Sequence, residues 1–291
     1  MERKDVLEGL KEILKLIKPS LDLSTVNDDT QLISDLGLDS LTILLLSLAI
    51  ENKFKFKFEG TLKFNGGRGH RPYHQERGMK ITTYIVEGLT AFLVRTLLRP
   101  KVYYLEPPKR RGRLDAPSLL IINHTGHLDG PVVTTVFRKN RIHNLAAKDR
   151  FEQRGFGFFL RNTRCIPIDR QNADLSWIHE SIKVIQQDKE CVAIFPEGRH
   201  GESRKQLPFH PGAAMLAAVS NAPLVMVYID GPIKVLGPRV RLMVSPSFHL
   251  DPPTNGMNSD YLNEQTEMLQ RKMKDLMNEF ISRTSCSSSR P

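Results

Sequence analysis

Cysteines, long apolar runs and a secretory leader pattern are scarce or missing in this sequence. The three cysteines, Cys165, Cys191 and Cys286, are scattered and odd in number, which argues against a disulfide framework and favours reduced thiols. No apolar run reaches the roughly 18 residues typical of a spanning helix, and the first five residues are mostly charged. We therefore expect a cytoplasmic protein with neither a signal peptide nor a membrane-spanning helix.

Basic residues outnumber acidic ones, and the excess is distributed unevenly along the chain. Residues 1–60 carry 8 Lys and Arg against 11 Asp and Glu, net −3, whereas residues 61–291 carry 34 against 21, net +13. This asymmetry predicts two domains with different partners. The basic part suits nucleic acid, an anionic membrane or phosphorylated substrates.

The chain divides into four predicted segments. Residues 1–60 form a small domain, 61–79 a flexible basic linker, 80–284 a large domain and 285–291 a disordered tail. The linker is predicted from the Gly- and Arg-rich stretch 65–78. RNA-binding segments have a similar composition, but a single short stretch is weak evidence for RNA binding and favours a solvated linker. We therefore expect no nucleic-acid partner.

Short apolar strands alternate with helices from residue 118 onward. Such alternation predicts an α/β fold with a mainly parallel sheet flanked by helices, whereas the helical spacing from Val6 to Ile17 predicts a small all-α N-terminal domain. The predicted strands are 118–122, 142–147, 164–168, 191–195, 224–229 and 240–244. The predicted helices are 131–138, 149–161, 174–188 and 211–221, with a closing amphipathic helix over 258–282.

The predicted strand that starts at Ser118 breaks into polar residues, among them His124 and Asp129. On one continuous helix these two would point about 140° apart, so they can meet only if the chain turns between them. A neutral His can then accept a proton while the carboxylate fixes its tautomer and stabilises the charged ring. This is our candidate catalytic pair for activating a hydroxyl, with His127 as a second candidate base.

Two other predicted strands also end in charged residues. One leads into Arg170, and the other leads through Pro196 into Glu197, Gly198 and Arg199. Strand ends of this kind form one crevice in an open α/β sheet, and the two arginines offer forked donors suited to a phosphate. Surface ion pairs at strand ends are the alternative interpretation, and it applies most strongly to Arg170.

Four ordered blocks of residues resemble the glycerophospholipid acyltransferase family, which includes the 1-acylglycerol-3-phosphate acyltransferases. The blocks are Asn123-His124-x4-Asp129, Ile166-Pro-Ile-Asp-Arg170, Phe195-Pro-Glu-Gly-Arg199 and Pro223. The resemblance covers roughly residues 93–250 and implies an O-acyltransferase of phospholipid biosynthesis. It implies transfer of a fatty acyl group from a thioester, on an acyl carrier or coenzyme A, to the hydroxyl of a lysophospholipid such as 1-acylglycerol-3-phosphate.

The resemblance also implies a role for each site residue. His124 is the base and Asp129 orients it, while Arg170, Glu197 and Arg199, with Gly198 in the same block, bind the phosphate and glycerol of the acceptor. Neither a metal nor a covalent acyl-enzyme is implied, in keeping with the lack of a Gly-x-Ser-x-Gly sequence. The remaining histidines considered, His143, His179, His200, His210 and His249, lack metal-ligand spacing, and we interpret them as structural.

The sequence departs from the family pattern at three places. Gly126 stands where many members have Ser, Arg199 directly follows Gly198 where members often insert Thr, and His210 stands where Lys is common. The last two departures concern the acceptor head group. A lyso-aminolipid, a sugar or glycerol phosphate itself is therefore the alternative acceptor.

The segment from Asp35 to Leu41, Asp-Leu-Gly-Leu-Asp-Ser-Leu, resembles the acyl carrier protein family. The resemblance covers about residues 2–60 and implies 4′-phosphopantetheine on Ser40, attached by a phosphopantetheinyl transferase. Taken alone, Ser40 equally suits a helix N-cap. In carrier proteins, acidic residues usually line the helix that follows this serine. Here Glu51 is the acidic residue that remains on that predicted helix. A non-catalytic, membrane-associated acyl carrier or tether is thus a second hypothesis for the whole chain.

Apolar residues recur at helical spacing from Ile81 to Leu97. Such a stripe suits either a core-packing helix or a helix lying in a membrane interface. A basic cluster follows at Lys109, Arg110, Arg111 and Arg113, and each such charge contributes about 1 kcal/mol near an anionic lipid surface. The cluster favours a peripheral protein on the inner, cytoplasmic face of the membrane.

Overall fold

The fold is taken from a computed structural model, which describes residues 3–17, 81–169, 176–202, 204–253 and 257–285, with residues 21, 23, 26, 27, 30, 36, 46 and 50. The chain forms two compact units, Met1–Glu76 with Asp251–Leu262 and Arg77–Leu250 with Asn263–Pro291. Ser40, Arg170, the linker 61–79 and the tail after residue 285 lie outside the described residues. What the sequence predicts for them therefore stays a prediction.

Helix α1, Arg3–Ile17, opens the first unit. Its buried Ile13 and Leu14 form a small apolar core with Val26, Leu36 and Leu46. Apolar residues three and four positions apart share one face of a helix, which explains why α1 buries this side. The helix agrees with the all-α domain predicted for this part of the chain.

The second unit is built on a sheet of seven strands among its described residues. They are β1 Lys101–Tyr104, β2 Leu119–Ile122, β3 Ile142–Ala147, β4 Cys165–Ile168, β5 Cys191–Ile194, β6 Leu224–Asp230 and β7 Arg241–Val244. Their order across the sheet is β1-β7-β6-β2-β5-β3-β4. The five neighbours from β6 to β4 run parallel, whereas β7 is antiparallel to β6 and parallel to β1. The predicted, mainly parallel α/β fold is confirmed.

Helices flank this sheet. They are α2 Ile81–Leu93, α3 Asp129–Val136, α4 Phe156–Arg161, α5 Ser176–Gln186, α6 Gly212–Ser220 and α7 Ser259–Ser285. Helix α5 buries Trp177, Ile178, Ile182 and Ile185, which is the inward stripe expected of an amphipathic helix. Residues of β2 and β5 are buried throughout, as parallel strands covered on both faces require.

Two elements differ from the sequence-based prediction. Strand β1, Lys101–Tyr104, was not predicted, and it pairs at the edge of the sheet with the distant β7. The helix predicted over 149–161 is instead a 3₁₀ turn, Lys148–Glu152, followed by α4. Gly155 separates the two with a φ of +76°, a backbone conformation that a right-handed helix does not contain.

Helix α2 continues through a π-helical turn, Val94–Leu98, and the combined segment differs from the sequence-based prediction. Ile81–Leu98 is long and apolar enough to cross a membrane by length and composition, whereas no such helix was expected. Glu87 and Arg95 interrupt the apolar run without making the segment polar on average. Among the described residues this one helix, taken alone, is weak evidence for a membrane span.

Candidate active site

His124 and Asp129 meet just beyond the C-terminal end of β2. Nδ1 of His124 lies 2.9 Å from Oδ2 of Asp129, whose side chain is fully buried. The carboxylate also accepts hydrogen bonds from the backbone N–H of Thr125 at 2.6 Å, the backbone N–H of Gly126 at 2.8 Å and the hydroxyl of Thr125 at 2.8 Å. Because these contacts fix the carboxylate, they also fix the imidazole, and Nε2 is the ring nitrogen left to accept a proton.

The chain turns between the two residues because β2 ends and α3 begins there. Asp129 lies in the first turn of α3, where exposed backbone N–H groups and the helix dipole favour a carboxylate. Asn123 ends the strand: its Oδ1 accepts the N–H of Ile229 at 2.7 Å, and its Nδ2 donates to the carbonyl of Ile229 at 3.0 Å. The side chain of Asn123 thus replaces the next backbone pair of the β2–β6 ladder and releases the chain towards His124.

A cavity of about 490 Å³ opens beside His124. Its wall follows β3 from Ile142 to Ala147, so the cavity extends along a strand about 20 Å long. The apolar part of the wall includes Ala91, Leu145, Phe156, Phe159, Leu160, Ile168, Ile194 and Phe195. Much of the rest of the wall is polar or charged. An elongated cavity that combines apolar side chains with polar ones suits a ligand with a hydrocarbon chain and a polar head.

Three histidine rings crowd the catalytic end of the cavity. The ring centroid of His200 lies 4.3 Å from that of His124 and 4.4 Å from that of His127, edge-on to both. Burial, aided by the two neighbouring rings, lowers the pKa of His200. His200 therefore lines the site, although we interpreted it from the sequence as structural. The available signal was its position directly after the predicted site residue Arg199.

Two arginines line the same end of the cavity. Arg199 lies in the wall beside His200, where the sequence analysis expected it to contact substrate. Arg150 lies in the wall as well, and the 3₁₀ turn after β3 places it there. Sequence reasoning missed Arg150, although it follows a predicted strand as the other candidates do. Arg170, the other predicted phosphate ligand, lies outside the described residues.

Glu197 and Gly198 are placed differently from each other. Glu197 is 3 % exposed and lies on a second, much smaller cavity, where the backbone N–H groups of His124 and Leu207 face its carboxyl group and favour the ionised form. Burial outweighs them and raises the pKa of Glu197 to about 7. Gly198 lines the main cavity with a φ of +65°, and a Cβ there would lie 3.0 Å from the ring of His210. Direct substrate contact fits the placement of Gly198 but not that of Glu197.

A network of charged side chains also lines the cavity. Arg164 forms a salt bridge with Glu87 of α2, and both residues belong to the wall. Arg164 Nε also lies 3.8 Å from Glu190, which bonds to Nε2 of His143 at 2.7 Å and to Nη1 of Arg141 at 2.8 Å. Burial opposes ionisation of Glu190, but the hydrogen bonds from His143 and Arg141 prevail and lower its pKa to about 2. The network ties α2 to the sheet.

The described site combines an oriented base, nearby cations and an elongated cavity. A base can deprotonate a hydroxyl, a guanidinium can bind a phosphate, and an apolar cavity can hold a hydrocarbon chain. In the part of the chain that the structure describes, no three His, Cys, Asp or Glu side chains are grouped as a metal site requires. The base, the cations and the cavity together suit acyl transfer to a hydroxyl.

Comparison with known proteins agrees with this chemistry. Residues 99–230 match the family model described as Acyltransferase, and residues 4–64 match the model described as Phosphopantetheine attachment site. The chain carries an acyltransferase domain C-terminal to a phosphopantetheine attachment domain. The sequence-based prediction of an acyltransferase enzyme with a carrier-type N-terminal region is thereby confirmed.

The acyltransferase domain has two curated relatives named 1-acyl-sn-glycerol-3-phosphate acyltransferase. That of Bacillus subtilis is 27% identical over 170 residues, which are 57% of this chain and 84% of the relative. That of Streptococcus pneumoniae is 27% identical over 124 residues, which are 42% of this chain and 45% of the relative. The crystal structure of the 1-acyl-sn-glycerophosphate acyltransferase of Thermotoga maritima aligns with a TM-score of 0.48 at 17% identity, over 72% of this chain and 85% of that one.

The match of the acyltransferase domain, residues 99–230, includes His124, Asp129, Arg170, Glu197, Gly198 and Arg199. The phosphopantetheine attachment match includes Ser40. Neither match assigns a role to an individual residue. The roles of these residues stay predictions.

Proposed function

We propose that the chain transfers a fatty acyl group from a thioester to the hydroxyl of a lysophospholipid such as 1-acylglycerol-3-phosphate. The observation that carries this proposal is the His124–Asp129 hydrogen bond beside an elongated cavity. Nε2 of His124 takes the hydroxyl proton while the acceptor oxygen attacks the thioester carbonyl. The carbon–sulfur bond then breaks and the leaving thiolate takes the proton from His124. Asp129 holds the tautomer and stabilises the imidazolium in between.

The acceptor phosphate is assigned to the cations at the catalytic end. Arg199 lies in the cavity wall there, and a guanidinium binds a phosphate through two parallel hydrogen bonds. Arg170 is assigned the same role, and Arg150 joins them from the adjacent wall. The names of the two curated relatives support 1-acylglycerol-3-phosphate as the acceptor. Holding the acceptor in line contributes to rate as well as to binding.

The donor is assigned to the apolar part of the cavity and to the N-terminal domain. We infer that Ser40 carries 4′-phosphopantetheine, added by a phosphopantetheinyl transferase, and the family match over residues 4–64 supports this assignment. A donor tethered through the linker 61–79 would reach an effective concentration of the order of millimolar at the site. Acyl-coenzyme A is the alternative donor, and it needs no modification of Ser40.

Exposed apolar side chains on α2 support attachment to a membrane. Ile81, Tyr84, Ile85, Leu89, Phe92 and Leu93 are each more than two-fifths exposed. An exposed apolar stripe of this size marks an interaction surface, and the basic cluster from Lys109 to Arg113 attracts anionic lipid. We propose a peripheral protein on the inner, cytoplasmic face, with carrier-like domain 1–60, linker 61–79, acyltransferase domain 80–284 and tail 285–291.

A transfer assay on the full chain tests the reaction. Labelled lysophosphatidate, a lyso-aminolipid, a sugar and glycerol 3-phosphate are each offered with acyl-carrier thioester and with acyl-coenzyme A. We expect phosphatidate from lysophosphatidate, and none with the His124→Ala variant. Product from a different acceptor alone would overturn the lysophosphatidate assignment. A folded chain that binds vesicles but acylates nothing would instead favour the carrier or tether.

The mass of the intact protein tests Ser40. After co-expression with a broad-specificity phosphopantetheinyl transferase, we expect the wild type, but not Ser40→Ala, to gain one phosphopantetheine. Ser40→Ala should lose transfer from a carrier-bound donor and keep transfer from acyl-coenzyme A. An unmodified mass on folded wild-type protein would contradict the assignment, and the donor would then come from solution.

A further inference from the structure

Glu197 is a buried carboxylate that the transfer steps above do not use. The residues that follow it, Gly198, Arg199 and His200, line the main cavity, but Glu197 is not in the described part of that wall. Its carboxyl group instead faces the backbone N–H groups of His124 and Leu207, which favour its ionised form. The acidic side chain of this segment therefore faces the backbone of the proposed base.

A second contact joins the same two segments. The backbone N–H of Gly201 donates to the carbonyl of His124 at 2.7 Å. The backbone carbonyl of His124 is thus bonded to the loop 195–201, which also carries Arg199. The carboxyl group of Glu197 lies at the same contact, since a Cβ on Gly201 would lie 3.0 Å from Oε2 of Glu197. A carboxylate suits this position because it accepts several N–H groups and donates none.

We propose that Glu197 is a positioning residue that fixes His124 relative to Arg199, and that it does not contact the substrate. The inference rests on the proposed function, because His124 and Arg199 must face the same acceptor for the transfer to occur. A displacement of about 1 Å between reacting groups can lower a rate by about 100-fold. The raised pKa of Glu197, which results from burial, is consistent with a carboxylate that is kept inside for its hydrogen bonds.

Amide hydrogen exchange tests the contacts without reference to the reaction. We expect Glu197→Ala to speed exchange of the His124 and Leu207 amides at least 10-fold, and Glu197→Gln to speed it much less because an amide oxygen still accepts a hydrogen bond. Glu202→Ala is the matched control, since Glu202 lies on the neighbouring segment with its side chain 80% exposed. Unchanged exchange in Glu197→Ala would overturn the positioning role.

Steady-state kinetics test the consequence for transfer. Glu197→Ala should lower kcat about 100-fold and leave the KM of acceptor and donor within about threefold, while Glu197→Gln keeps most of the turnover. A raised acceptor KM at unchanged kcat would make Glu197 a substrate ligand and overturn the proposal. If Glu197→Ala does not fold, Gly201→Ala shifts the same carboxyl group slightly, and it should lower kcat by a smaller factor and leave both KM values unchanged. A wild type that transfers no acyl group would refute the proposed function, whereas the exchange data would still decide the contacts of Glu197.

Discussion

Asp129 reaches His124 through Oδ2, the oxygen that also accepts the backbone N–H groups of Thr125 and Gly126. The carboxylate is thus oriented by the turn itself, and the imidazole takes its orientation from the carboxylate. The base does not depend on substrate for its alignment. This arrangement leads to the first prediction.

His124→Ala and Asp129→Asn should each abolish transfer and leave the fold intact. Loss of the base, or of the group that holds its tautomer, lowers turnover by about 10³–10⁴-fold in comparable dyads. Turnover numbers and circular dichroism check the two parts of the prediction, with His249→Ala as the control that keeps activity, since His249 is exposed and lies outside the described cavity wall. Near-normal turnover in His124→Ala would contradict the mechanism, and His127 would then be the next candidate base.

Arg199→Lys should raise the KM of the phosphorylated acceptor about 10-fold, because a bidentate fork is replaced by a single ammonium. Arg170→Lys should act in the same way. The matched control is Arg204→Lys, since Arg204 pairs with Asp230 at 3.3 Å. If the KM of the thioester donor moves instead, the assignment of donor and acceptor to the two ends of the site is reversed.

Glu87→Ala should destabilise the protein by about 3 kcal/mol, because it leaves the buried guanidinium of Arg164 without its partner on α2. The double variant with Glu87→Leu and Arg164→Leu should lose less of the free energy of unfolding, since neither buried charge then remains. Urea unfolding measures both, and Glu202→Ala, which breaks the exposed pair with Lys205, should change stability by less than about 0.5 kcal/mol. A double variant less stable than Glu87→Ala would show that the charges stabilise the fold beyond their pairing.

Glu197 should make stability fall as pH rises. Its pKa is about 7 in the folded protein against an ordinary 4.5, so between pH 4.5 and pH 7 the unfolded chain ionises this group while the folded chain keeps it neutral. The stabilising contribution is complete below 4.5 and is lost as pH rises through 7. Wild type should therefore lose about 2 kcal/mol relative to Glu197→Gln between pH 5 and pH 8. Parallel stability curves for the two proteins would contradict the raised pKa.

The sequence was informative wherever the signal is local. The apolar run of β2 predicts a buried strand, and the short separation of His124 from Asp129 predicts the turn that the structure shows. The glycine at 155 is visible in the sequence, but its positive φ is not, because periodicity does not report the sign of φ. Strand β1 was missed because its four residues become a strand only by pairing with β7, which lies far along the chain.

Side-chain direction in loops was the harder part. Glu197 lies two residues after Phe195, and strand alternation would place both on the cavity side. The strand ends at Ile194 and Gly198 adopts a positive φ, so alternation no longer applies there. Arg150 and His200 face the cavity for the same kind of reason, through turns that follow β3 and β5.

Strands β2 and β5 are direct neighbours, with Leu119 opposite Val192 and Ile121 opposite Ile194. A slip of one residue between them would move the loop after β5 by about 3.3 Å along His124 and reverse the faces of every side chain in the slipped strand. The register of these two wholly apolar strands thus fixes the position of the loop after β5 relative to His124. For protein engineering, the transplantable unit is the β2–β5 pair with both of its loops, because either loop grafted alone would lose the strand register that positions it relative to the other loop.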